Sequence, residues 1–153
     1  MPNRSDTNTF EEFFERAEPR LRDALSATVG TSTGRDAAAD ALSYGWEHGD
    51  RVRDMENPIG YLYAVGRDRA RRRRPKPAAM QPVDRGQLPW VEPDLPDALA
   101  RLPEQQRTVV MLVHCYQWTM SEVAELLDVS KSTVQTHAER GISRLRDDLK
   151  VMQ

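Results

Sequence analysis

Apolar side chains recur at helical spacing through most of the chain, and nowhere do they alternate as a half-buried strand requires. Phe10, Phe13, Phe14, Ala17 and Leu21 predict a first helix starting near Phe10, with Thr9 and Glu12 in the capping-box relation ahead of it. Pro19 marks the point where that helix kinks or divides, and Gly30-Thr31-Ser32-Thr33-Gly34 marks its end. A second helix is predicted from about Arg35 to His48, with Trp46 in the core. Asn57-Pro58 opens a third, Asn57 as cap and Pro58 at the first helical position, where a missing N–H costs nothing. Ile59, Leu62, Tyr63, Gly66 and Ala70 form its inner stripe, while Arg67, Arg71 and Arg74 share another face.

Periodicity then stops. Six prolines between Pro75 and Pro96 give the composition of an extended linker, within which Trp90 is expected to dock on one of the flanking units. Beyond Pro96 the pattern is again helical. A helix of about Gln105 to Gln117 turns Val109, Leu112, Val113 and Tyr116 inward, and a shorter one from Ser121 to Leu127 presents Val123, Leu126 and Leu127. After a turn at Asp128-Val129-Ser130, a last helix capped by Ser130 buries Val134, Ala138, Ile142 and Leu145. The expected fold is all-α: two small helical domains, residues 9–74 and 96–153, joined by a Pro-rich linker over 75–95, with residues 1–8 disordered.

Charge sharpens this division. The net charge of the 153 residues is −2, but residues 1–66 sum to −5, residues 67–76 to +6 and the tail from Lys131 onward to +2. Two basic islands in an acidic chain suit phosphate contacts, although solvated helix ends would look alike. The short helix, turn and long helix at the C-terminus have helix-turn-helix spacing, in which the second helix lies in the major groove. Its outward positions are Ser130, Lys131, Ser132, Thr133, Gln135, Thr136 and Arg140. Glutamine can pair two-fold with adenine and arginine with guanine, while serine, threonine and lysine anchor phosphates.

Other chemistries find little support. The histidines His48, His114 and His137 lie far apart in sequence with no nucleophile or metal-ligand cluster beside them, and no glycine-rich phosphate loop is present. No enzyme activity, metal or cofactor is therefore expected. The single cysteine, Cys115, cannot form an internal disulfide and is expected to be a small buried hydrophobe in a reducing compartment. No apolar run approaches the roughly 20 residues needed to cross a bilayer, and the N-terminus lacks the apolar core of a signal peptide, so a cytoplasmic location without membrane insertion is expected.

The stretch LPEQQRTVVMLVHCYQWTMSEVAELLDVSKSTVQTHAERGISRLRDDL resembles the minus-35-binding domain of sigma-70-type factors: a LPxxxR start, an aliphatic helix, an S-x-x-E-[IV]-A-x-x-L helix and an S-x-x-T-V recognition start. Asp128 stands where the turn usually has glycine, and aspartate tolerates the left-handed conformation better than most residues. Gln135 and Glu139 stand where such proteins often carry basic or neutral residues, which lowers affinity or shifts sequence preference. FEEFFERAEPRLRDALSA and GRDAAADALSYGWEHGDRVRDMENPIGYLYAVGRDRARRRR are similar, more weakly, to the other half of the same family, in its extracytoplasmic-function type.

That resemblance implies a second helix that docks on core RNA polymerase through Asp36 and Asp40, whose i, i+4 spacing puts both on one face. Acids near a helix start also favour the macrodipole without a partner. It further implies that Asn57, Tyr61, Arg67, Arg69 and Arg71, with the loop from Asp50 to Asn57, capture the melted minus-10 strand, basic groups tracking phosphates and a pocket holding an unstacked base. Tyr63 reads as core, and Tyr61 as either core or stacking platform. The implied partners are core RNA polymerase and promoter DNA, with an anti-sigma protein as a further candidate. The other reading is a helix-turn-helix regulator whose N-terminal half dimerises or senses a signal.

Overall fold

The computed structural model describes residues 4–73 and 94–151, with side chains over 10–73 and 94–150. It divides into two units, Met1–Arg73 and Arg74–Gln153. Arg74, most of the proline-rich stretch and Trp90 lie outside the described residues. Among those described, every regular element is helical, in agreement with the all-α reading.

The first unit holds α1 (Arg4–Val29), α2 (Thr31–Glu47), α3 (Gly49–Arg53) and α4 (Pro58–Arg73). Helix α1 begins ahead of the expected start and runs through Thr9, so the Thr9–Glu12 pair is internal to it. It also passes through Pro19 without interruption. Ala17, Leu21, Ala24 and Leu25 are fully buried on either side of the proline, and that packing holds the helix where proline withholds a backbone donor. Most of the stretch over residues 30–34 is helical, so α2 starts ahead of the expected Arg35. Gly30 alone connects α1 to α2, at φ 93°, a backbone angle that favours glycine. Gly34 already lies inside α2, where a Cβ would stand 2.6 Å from the Cα and N of Ser26, so its bare backbone lets the two helices touch.

Helix α2 buries Gly34, Ala37, Ala38, Ala41 and Gly45, a stripe of small residues that matches the close crossing. Trp46 falls one position beside this stripe and is 58% exposed, not core. Helix α4 presents Leu62, Tyr63, Gly66 and Ala70 to α1 and α2 as its periodicity requires, and Tyr63 is core. The Tyr63 hydroxyl lies 2.7 Å from Thr28 Oγ1, which also donates to the Ala24 carbonyl, so both buried hydroxyls are satisfied.

The second unit holds α5 (Leu95–Arg101), α6 (Glu104–Val110), a π-helical turn (Met111–Cys115), α7 (Met120–Leu127) and α8 (Lys131–Val151). Helix α8 packs on α5, α6 and α7. Ala98, Leu102, Val110 and Leu145 form one buried cluster, edged by Leu95, Leu99, Ile142 and Leu149. The helix expected to reach Gln117 instead widens after Val110 and closes with the Tyr116 N–H on the Met111 carbonyl. Gln117 then takes φ 60° and the Trp118 N–H reaches back to the Leu112 carbonyl at 2.8 Å. Leu112 and Trp118 are buried by this arrangement, while Cys115 is left exposed, contrary to expectation, its thiol 3.9 Å from the Met111 sulfur.

Candidate nucleic-acid interface

The start of α7 is fixed by a reciprocal capping box that reading from Ser121 overlooks. The Glu122 N–H donates to Thr119 Oγ1 at 3.1 Å and the Thr119 N–H to Glu122 Oε1 at 3.0 Å. The signal was present as Thr119-x-x-Glu122. At its other end, the Asp128 N–H bonds the Glu125 carbonyl and the Val129 N–H the Ala124 carbonyl, a Schellman closure with Asp128 at φ 54°, ψ 49°. Aspartate thus does what glycine commonly does there. Helix α8 starts on Ser130, whose Oγ accepts the Thr133 N–H at 3.1 Å.

These local devices set which side chains face outward. Val134, Ala138, Gly141 and Leu145 are buried, and on the opposite side Lys131, Ser132, Gln135, Thr136, Glu139 and Arg140 are exposed. Among the expected contact residues, Ser130 is exposed but its Oγ serves the cap and also meets the hydroxyls of Ser132 and Thr133. Thr133 is half-buried. Both therefore shape the helix start more than they offer donors to a ligand. The Thr136 hydroxyl donates back to the Ser132 carbonyl at 3.0 Å, and Gln135 Nε2 donates to Glu139 Oε1 at 3.2 Å.

Arg107, the arginine of the LPxxxR start, is buried rather than directed to solvent. Its Nη1 donates to the Leu102 carbonyl at 3.1 Å and the Ala100 carbonyl at 3.4 Å. A guanidinium thereby satisfies carbonyls at the end of α5 that have no helical partner, and ties α5 to α6.

In the first unit, Asn57 caps α4, its Oδ1 accepting the Gly60 N–H at 3.1 Å. The expected loop from Asp50 to Asn57 is shorter than its sequence suggests, because Gly49–Arg53 forms α3 and Val52 is buried. Tyr61 is half-buried, and its hydroxyl lies 3.1 Å from that of Tyr44. That hydrogen bond, with burial and the charge Tyr44 would carry, raises the Tyr61 pKa, Arg51 opposing. Tyr44 also meets the His48 ring, centroids 4.3 Å apart, and the Arg69 guanidinium lies 5.3 Å from its ring centre. Tyr44 was not singled out from the sequence, and His48 was noted there only as an isolated histidine, although their i, i+4 spacing was visible.

Asp36 is exposed on α2, as expected of a docking residue. Asp40 is engaged within its own unit: its side chain is 25% exposed and pairs with Arg73, whose side chain is 64% exposed. Arg69 Nη1 reaches the Asp40 carbonyl at 3.5 Å. The arginines of α4 are thus joined to the acidic face of α2, a link spacing alone does not reveal. Arg67 is half-buried and Arg71 exposed. Trp46 contributes to a surface aromatic group, its ring 5.8 Å from Phe10 and 5.4 Å from Phe14. No group of three or more metal-binding side chains occurs among the described residues. No helix among them is long and apolar enough to cross a membrane.

Comparison with known proteins adds two findings. Residues 94–145 match the family described as Sigma-70, region 4, which bears out the resemblance read from the C-terminal motif. Among solved structures, the chain is similar to the sigma factor RpoE from Bartonella quintana, determined in complex with the anti-sigma factor NepR. The two share 21% identity over 95% of this chain and 99% of that one, at a TM-score of 0.60. No curated protein matches the chain.

Proposed function

We propose that this chain is a sigma factor of the sigma-70 family, of the extracytoplasmic-function type, and that it delivers core RNA polymerase to promoter DNA; the region 4 match and the likeness to a solved sigma factor support this reading. One observation carries the reading: the segment that matches region 4 is built as a helix-turn-helix whose cap, left-handed Asp128 and buried stripe leave a polar face of α8 outward. That face reads the duplex minus-35 element. In the first unit, α2 docks on polymerase through Asp36 and Asp40, and α4 with its arginines holds the melted minus-10 strand. Binding the unpaired strand in preference to duplex shifts the equilibrium toward open DNA, so the factor promotes melting without catalysing a reaction or holding a cofactor. It works in the cytoplasm, with polymerase. A related fold solved with an anti-sigma factor supports an anti-sigma protein as a further partner.

The test is complex formation between the purified protein and bacterial core polymerase, compared with Asp36→Arg and with Asp36→Arg/Asp40→Arg. Binding that falls with the first change and vanishes with both supports the docking face. A wild-type chain that shifts duplex DNA but ignores core polymerase points to the regulator reading instead.

A further inference from the structure

The outward face of α8 carries a carboxylate among groups expected to meet a polyanion. Glu139 is exposed one turn beyond Gln135 and accepts its amide N–H at 3.2 Å. A negative charge facing DNA costs affinity at every sequence, so what it can contribute is discrimination.

We infer that Glu139 is a specificity-determining residue of the duplex-reading helix, admitting base edges that offer an exocyclic amine and rejecting guanine. This inference rests on the promoter-binding reading of α8 and deepens it. Two steps lead to it. First, the hydrogen bond to Glu139 fixes which way the Gln135 amide points. One Nε2 hydrogen is taken, leaving the second hydrogen as donor and Oε1 as acceptor, the pair that adenine N7 and N6 accommodate. Secondly, the remaining carboxylate lone pairs can only accept. In the major groove the donors are the amines of cytosine and adenine, whereas guanine presents N7 and O6, both acceptors, to which a carboxylate is repulsive. A residue four positions on along the helix lies about 6 Å further, close enough to read a neighbouring base pair. Gln135 thus reads adenine and Glu139 an amine-bearing base beside it, with cytosine the better fit because its N4 is the only major-groove hydrogen-bonding group it offers.

Glu139 and Gln135 are both exposed on a helix whose core is formed by other positions, so substitution leaves the fold in place, as far-UV ellipticity will verify. The experiment selects tight-binding duplexes from a pool randomised around a minus-35 segment, using the full-length protein bound to core polymerase, and compares wild type with two variants. Glu139→Gln retains an oxygen for the Gln135 amide but gains a donor and loses the charge. It should lose about tenfold of discrimination against guanine at one base pair while keeping the adenine preference beside it. Glu139→Ala should relax both positions. Variants that retain every wild-type base preference, with only a uniform rise in affinity, would overturn the inference and leave Glu139 a bystander charge. If the wild-type protein enriches no sequence, the duplex-reading function of α8 itself fails, and this inference with it.

Discussion

Replacing Gly34 by alanine sets two known effects against each other. Alanine in a helix interior is favoured over glycine by about 1 kcal/mol, so on propensity alone Gly34→Ala should stabilise α2. The added Cβ, however, would stand 2.6 Å from Ser26 Cα and N and 2.8 Å from the Leu25 carbonyl carbon. Those are backbone atoms of α1 and cannot rotate aside. Restoring ordinary contacts of roughly 3.5 Å means separating the helices by about 1 Å along a face packed by small residues. Overpacking of this kind costs about 1–3 kcal/mol, and a backbone obstacle puts it near the upper end. The net expectation is a loss of about 2 kcal/mol, roughly a 10 °C fall in the melting temperature of a unit this size. Hydrogen exchange of peptides covering residues 17–29, measured in rising urea, reports the first unit separately from the second. A Gly34→Ala protein as stable as wild type, or more so, would refute the close-approach argument.

Arg107→Ala removes the donors to the Ala100 and Leu102 carbonyls, and a loss of about 2–3 kcal/mol is expected, seen as faster exchange in α5 and a lower melting temperature of the second unit. At the α7 turn, Asp128→Val forces a β-branched residue to φ 54° and should cost about 1–2 kcal/mol, while Asp128→Gly should be neutral or mildly stabilising in the same thermal assay. Tyr44→Phe deletes the hydroxyl partner of Tyr61 and should bring the Tyr61 pKa down toward the ordinary 10.0, so that its ultraviolet ionisation band appears at lower pH than in wild type. An unchanged ionisation curve would mean the two hydroxyls do not meet.

Capping and periodicity made much of this protein readable in advance. Asn57 before Pro58 and Ser130 before Lys131 advertise helix starts because only a few side chains can satisfy the first backbone N–H groups, and both caps are in place. The inner stripe of α4 and the buried faces of α7 and α8 follow in the same way from spacing, while the left-handed position at Asp128 was marked by the resemblance, in which glycine usually stands there. The outward set on α8 is what remains once the buried stripe is known.

Other features depend on what each residue meets across the chain. Trp46 reads as core by hydrophobicity, yet at that point α2 turns Gly45 toward Leu62 and Phe14 and leaves Trp46 on the surface beside Phe10 and Phe14. The stretch over residues 30–34 reads as the end of the first helix, with the second expected from about Arg35, yet one positive φ at Gly30 completes the turn and the rest joins α2. The π-helical turn that exposes Cys115 accompanies the burial of Leu112 and Trp118, and the helical periodicity of the sequence does not signal it. Likewise Asp36 and Asp40 are equivalent by spacing, and only tertiary packing of α4 against α2 pairs one with Arg73 and leaves the other exposed. Local rules act within a turn or two of helix and are written in neighbouring residues, whereas the crossing distance joins residues on two different helices and the charge pair of Asp40 with Arg73 spans more than thirty positions. Those were decided by the tertiary structure alone.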